Sequence, residues 1–215
     1  MRFFVLAVSY KYRGFCVAGI NFDTLEYVRL GRHVSASCDC APLSSTDITV
    51  NGQVLSVGDL IEADAKKLPV NGCQTENYEL IRIVGMIKKL SADEIANVYC
   101  NIYHPDFVFK DTSRYLAPIE MSDVNTSIGF FKVQGLIIHN QVSNGKNRLK
   151  ANFRYNGQTY RDIVVTDCRI CGYPSQFGSF PVTGTFREAY ITVTLPHDEW
   201  AEENGFYKYV SGVII

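Results

Sequence analysis

A chain of 215 residues with 47% hydrophobic and 20% charged residues can bury a sizeable core, and its composition excludes a disordered polymer. Its net charge of −1 and pI of about 6.4 exclude a strong, non-specific polyanion binder, so any nucleic-acid contact must rest on a local basic patch. Phe3–Val8 is too short for a secretory core and no run approaches the ~18 apolar residues of a membrane helix, so the chain reads as a cytoplasmic protein without membrane contact.

In chain order, Phe3–Ser9 and Phe15–Asn21 read as strands joined by a turn at Tyr12-Arg13-Gly14, with Gly19 at a bulge or bend. Glu26–Leu30 alternates as a third strand, and residues 31–45 read as a loop rich in Ser, Cys and Asp. Asn51-Gly52 centres a hairpin, and Leu60–Ala63 is a further strand. Tyr78–Leu90 carries the β-branched residues of one strand or two short ones. Ser91 and Glu94 form a capping box that opens the best helix of the chain, with Ile95, Val98 and Tyr99 on one face. Residues 104–124 contain Pro105 and Pro118 and no periodic run, which places a domain boundary near Met121–Asn125. Ser127–Ile138 then reads as a strand, residues 167–188 as a loop, Ala189–Leu195 as a strand, Asp198–Glu203 as a helical turn and Phe206–Ile215 as a closing strand.

The stretch with the clearest pattern is Asn147–Thr166. Asn156-Gly157 suits a type I′ turn, because both central positions need positive φ. That register pairs Tyr155 with Gln158, Phe153 with Tyr160 and Ala151 with Asp162. Period-two alternation then puts Leu149, Ala151, Phe153, Tyr155, Tyr160 and Val164 on one face, with Arg148, Lys150, Asn152, Arg154, Thr159 and Arg161 on the other. The expectation is a two-faced ribbon, aromatic inward and cationic outward.

Several stretches, in order, resemble the dual OB-containing family of bacterial proteins with two tandem OB-like barrels. They are Phe4-Val5-Leu6-Ala7, Cys16-Val17-Ala18-Gly19, Tyr27-Val28-Arg29, Gln74-Thr75-Glu76-Asn77, Phe153–Gly157 with Tyr160, Val165-Thr166-Asp167 and Tyr207–Val210 with Gly212–Ile215. Thr75 departs from the family's expected Pro in the Gln/His-Pro-Glu-Asn segment. The resemblance implies two OB barrels, and with the boundary and capping box read above the expectation is an all-β protein of two OB-like barrels, residues 1–123 and 124–215, with one short helix in the N-terminal half. It also implies a proposed nucleic-acid-binding role.

Arg148, Lys150, Arg154 and Arg161 are the candidate nucleic-acid contacts, since cations without intervening acids can neutralise phosphates. A solvated outer face explains the same pattern. Gln74, Glu76 and Asn77 are the candidate ligand-binding residues, against the plainer reading that they hydrogen-bond a turn. Seven cysteines without an export signal predict reduced thiols. Cys168-Arg169-Ile170-Cys171 has metal-ligand spacing, but Cys38-Asp39-Cys40 lies about 130 positions away, so neither metal nor cofactor is expected. His33, His104, His139 and His197 fall in no nucleophile or metal motif, and no Gly-rich phosphate loop or nucleophile elbow occurs. The sequence therefore predicts a non-enzymatic binding module for single-stranded nucleic acid. The alternatives are a small-ligand or nucleotide sensor with its pocket between the barrels, and a metal-dependent enzyme acting on nucleic acid or nucleotides. A protein partner on an exposed barrel edge is a further option, and the oligomeric state is open.

Overall fold

A computed structural model of the chain describes residues 1–11, 13–33, 40–69, 74–121, 124–143, 145–178, 181–196 and 205–215. Strands β1 (Arg2–Lys11), β2 (Gly14–Asn21), β3 (Tyr27–His33), β4 (Asp59–Lys67) and β5 (Asn77–Lys89) pair in the order β2-β1-β4-β5-β3, and a β2–β3 pairing closes the ring. Strands β6 (Ile128–Ser143), β7 (Lys146–Tyr155), β8 (Gln158–Val165), β9 (Gly184–Thr194) and β10 (Tyr209–Ile214) form a second closed barrel, ordered β6-β7-β8-β10-β9. Each ring has the cyclic order first, second, third, fifth, fourth. In each, the third and fifth strands run parallel and the other neighbours antiparallel. These are the two OB-like barrels expected from the sequence.

β1 is a nearly unbroken apolar run because both its faces are buried. Phe3, Val5 and Val8 point into the first barrel with Val17, Val28, Leu30 and Ile61, while Phe4 and Leu6 point outward against Phe130 of β6. The change of face comes from a bulge at Leu6, where the register steps from Val5↔Gly19 to Ala7↔Ala18. Gly19 is required there, since a Cβ would lie 2.0 Å from the Phe4 carbonyl oxygen. The Leu6 carbonyl accepts from Thr192 Oγ1 at 2.9 Å in β9. The barrels thus share a wall of Phe4, Leu6, Ile20, Leu60 and Phe130, which α1 (Ala92–Cys100) covers with Ile95 and Val98. Each Phe or Leu buried in it contributes about 1.5–3 kcal/mol.

The capping box of α1 forms as expected, Ser91 Oγ accepting from the Glu94 N–H and Glu94 accepting from the Ser91 N–H. Residues 77–89 make one strand rather than two, its three register shifts against β4 absorbing the irregular pattern. β6 and β9 both extend beyond the stretches that alternate in sequence, because long antiparallel pairing carries them. The closing segment splits into Phe206–Tyr207, which pairs with Tyr115–Leu116, and β10. A short helix over Cys168–Cys171, capped by Asp167 and ended by Gly172 at φ 61°, interrupts the expected loop. The expected helical turn at residues 198–203, with His197, and the tip of the early loop, with Cys38, lie outside the described residues, as does Cys73.

Candidate nucleic-acid interface

The Asn156-Gly157 turn forms with φ 48° and 76°, and Tyr155↔Gln158 and Phe153↔Tyr160 pair as expected. Phe153 and Tyr160 stack inside the barrel with ring centroids 5.0 Å apart. Beyond them the expected register fails. Ala151 pairs with Ile163, not Asp162, because Asp162 bulges out at φ 56° and its N–H donates to Asn152 Oδ1 at 2.7 Å. Ile163 and Val165 therefore turn inward in place of Val164. An Asp accepts this left-handed backbone more readily than most residues, and the Asn152 amide oxygen satisfies the N–H the bulge frees.

Three of the four predicted cations, Arg148, Arg154 and Arg161, are exposed. Among the described residues none of them is ion-paired. Their cross-strand neighbours are neutral: Gln141 opposite Arg148, Gln134 and Thr159 opposite Arg154. Lys150 differs. It is 8% exposed, and its Nζ donates to the Asp162 carbonyl oxygen at 3.2 Å, so it braces the bulge. β7 and β8 are the second and third strands of their barrel, the face on which OB barrels bind oligonucleotides.

The segment between the barrels fixes this ribbon. Tyr155 Oη donates to the Pro105 carbonyl at 2.6 Å, the Val108 N–H donates to Tyr160 Oη at 2.9 Å, and Val108 is buried in the second barrel's core. Burial pushes the Tyr155 phenol up to about 12, so it stays a donor across the physiological range. Lys208, 1% exposed, ties down the next loop by donating to Asp111 O and Oδ1, both at 2.8 Å. Its burial lowers the ammonium pKa against the opposing pull of Asp111. Between this loop and the bulge lies a groove of about 560 Å³ whose walls include Arg114, Tyr115, Thr159 and Arg161. Arg114 and Tyr115 sit in the stretch that read only as a boundary. The alternation Ser113-Arg114-Tyr115-Leu116 is the one local signal for them.

The first barrel treats its equivalent face differently. Gln74, Glu76 and Asn77 are 6%, 3% and 1% exposed. The Asn77 amide donates to Gln74 Oε1 at 3.2 Å. Glu76 Oε1 accepts from Ser127 Oγ and lies 3.4 Å from Arg29 Nη2, which also donates to Ser127 Oγ at 2.6 Å. Arg29 is on the outer side of β3, and Ser127 opens the second barrel. The Phe130 N–H likewise donates to Tyr27 Oη at 3.0 Å, and Ala18 of β2 packs on Ile128. The outer face of β2 and β3 is therefore covered by residues 127–130.

Cys168 is fully buried, and burial raises its thiol pKa well above the usual value and that of Cys171 to about 12. Of Cys40 only the backbone is described. Among the described residues no three His, Cys, Asp or Glu side chains are grouped to hold a metal ion, and no helix is long and apolar enough to cross a membrane.

No curated protein and no solved structure matches this chain. A family model described as the dual OB-containing domain matches residues 1–213, nearly the whole length. With two rings of identical OB order behind that match, the chain belongs to the dual OB-containing domain family.

Proposed function

We propose that this protein is a non-enzymatic, cytoplasmic module for single-stranded nucleic acid. It acts as two barrels, 1–123 and 124–215, and binds on the outer face of β7 and β8. The observation that carries the reading is the contrast in cation state. Arg148, Arg154 and Arg161 stand exposed, without an ion pair among the described residues, while Arg29 on the first barrel's face is paired with Glu76. The bracing of the ribbon fixes the backbone from which these arginines project, and each guanidinium can hold two phosphate oxygens. Lys150 contributes by holding the bulge that sets Arg161.

The test is fluorescence anisotropy with a short single strand across a salt series. Three phosphate contacts on a single strand predict a slope of log K against log salt of about −2. Arg154→Glu combined with Arg161→Glu should abolish binding with the fold intact by circular dichroism. Normal binding by that variant, or no salt dependence, rejects the reading.

A further inference from the structure

The ribbon offers charge without rings. β7 and β8 contain three aromatic residues, Phe153, Tyr155 and Tyr160, and these are 2%, 4% and 0% exposed. Period-two alternation sends all three into the barrel, and their two hydroxyls are bound there by Pro105 and Val108. The opposite face exposes Arg148, Arg154, Thr159 and Arg161, with Gln134 and Gln141 beside them on β6. Ile137, exposed opposite Asn152, has no ring, and the His139 imidazole is turned to Asp162, its Nε2 3.7 Å from Oδ1. Across the groove, the Tyr115 ring packs on Tyr207 with centroids 5.7 Å apart and against Gly205, where a Cβ would stand 2.6 Å from Cδ2. Proteins that hold single strands without sequence preference combine a positive groove with aromatic rings on which bases stack. The face of β7 and β8 has the first and not the second.

The cations are also spread along the ribbon rather than gathered at one point. Arg148 and Arg154 are six residues apart on β7, about 20 Å at the rise of an extended strand. Arg161 lies on β8, two residues from Thr159, the partner of Arg154. One phosphate cannot touch both ends of such a row, whereas a chain of phosphates can. The only carboxylate in β7 and β8 is Asp162. Arg161 beside it and Lys150, whose Nζ reaches the Asp162 carbonyl, outnumber it. The row thus suits a linear polyanion in charge and length, and it gives a base no ring to lie on.

We propose that the ribbon holds a single strand by its sugar-phosphate backbone alone, with the bases left toward solvent. Its ligand class is then any phosphodiester chain long enough to reach from Arg148 to Arg154, whatever its bases. This rests on the ribbon's binding a strand, and the test separates the two. Three labelled strands of equal length are titrated at low salt: an oligothymidylate, an oligodeoxycytidylate and a strand whose residues are all abasic. Their affinities should differ by less than about fivefold, the factor that one stacked base supplies. Arg154→Glu with Arg161→Glu should abolish the binding of all three, and thymidine monophosphate at equal phosphate concentration should not compete. A loss of fivefold or more on the abasic strand overturns the proposal while the ribbon stands, since a base then lies on Tyr115 or on an arginine plane. A preference of that size between thymidylate and cytidylate, or competition by the monophosphate, overturns it as well. If no strand binds, or if the double variant binds all three normally, the ribbon and its backbone reading fall together.

Discussion

The two barrels share one topology, yet the same face has opposite fates in them. In the first, the outer side of β2 and β3 is closed by residues 127–130, and its buried cation is matched by Glu76 from within the chain. In the second, the outer side of β7 and β8 is open, and its arginines have solvent before them. The difference teaches that one and the same strand face of an OB barrel can be closed by its own chain or left open to solvent. In the first barrel its sister supplies the cover, through hydrogen bonds of Ser127 with Arg29 and Glu76 and of the Phe130 N–H with Tyr27. In the second, Arg148, Arg154 and Arg161 have no such cover among the described residues.

Breaking the closed face should have the largest effect. Glu76→Ala leaves Arg29 buried without its carboxylate, and such a loss costs about 3–5 kcal/mol; denaturant unfolding would measure it, and a change below about 0.5 kcal/mol would mean that the clasp does not hold the face shut. Next comes the contact that joins the barrels. A Cβ on Gly212 would lie 1.8 Å from the Leu6 carbonyl oxygen, so Gly212→Ala should cost about 1–3 kcal/mol through overpacking, read as a lowered unfolding midpoint. The open face should respond in the opposite sense. Arg148→Glu with Arg154→Glu should change stability by no more than about 0.5 kcal/mol, as at other exposed positions, while removing strand binding. A large loss of stability there would show that these arginines have structural partners.

The smallest effect lies outside both faces. Glu94 is held down to about 2, first by its hydrogen bond from Lys88 and then by the Ser91 N–H. Because the folded value is depressed, its contribution is present above the ordinary 4.5 and disappears as pH falls through about 2. Lys88→Ala should move the Glu94 titration seen by NMR toward the ordinary value and leave both faces untouched.

The sequence made one face of this ribbon readable and concealed the other barrel's. Asn156-Gly157 and strict alternation placed Phe153, Tyr155 and Tyr160 inside, since turn chemistry and period-two burial are local rules. The bulge at Asp162 was not legible, because a side-chain oxygen from the opposite strand stabilises it and no local residue announces it. Lys150 looked equivalent to Arg148 for the same reason. Glu76 and Arg29 are 47 residues apart and meet Ser127 only when both barrels close. No periodicity carries that information. The groove likewise needs a segment of no periodic pattern to lie against β8.

One feature of the shared wall reaches further than stability. The turned-out Leu6 carbonyl, Thr192 and the bare backbone of Gly212 bring the barrels into main-chain contact. Made as separate polypeptides, the halves would each show Phe4 and Leu6, or Phe130, to water, and would reassociate or precipitate. An oligonucleotide bound on the ribbon, as proposed, would consequently meet a frame of fixed orientation. It would not meet a clamp that can close around it.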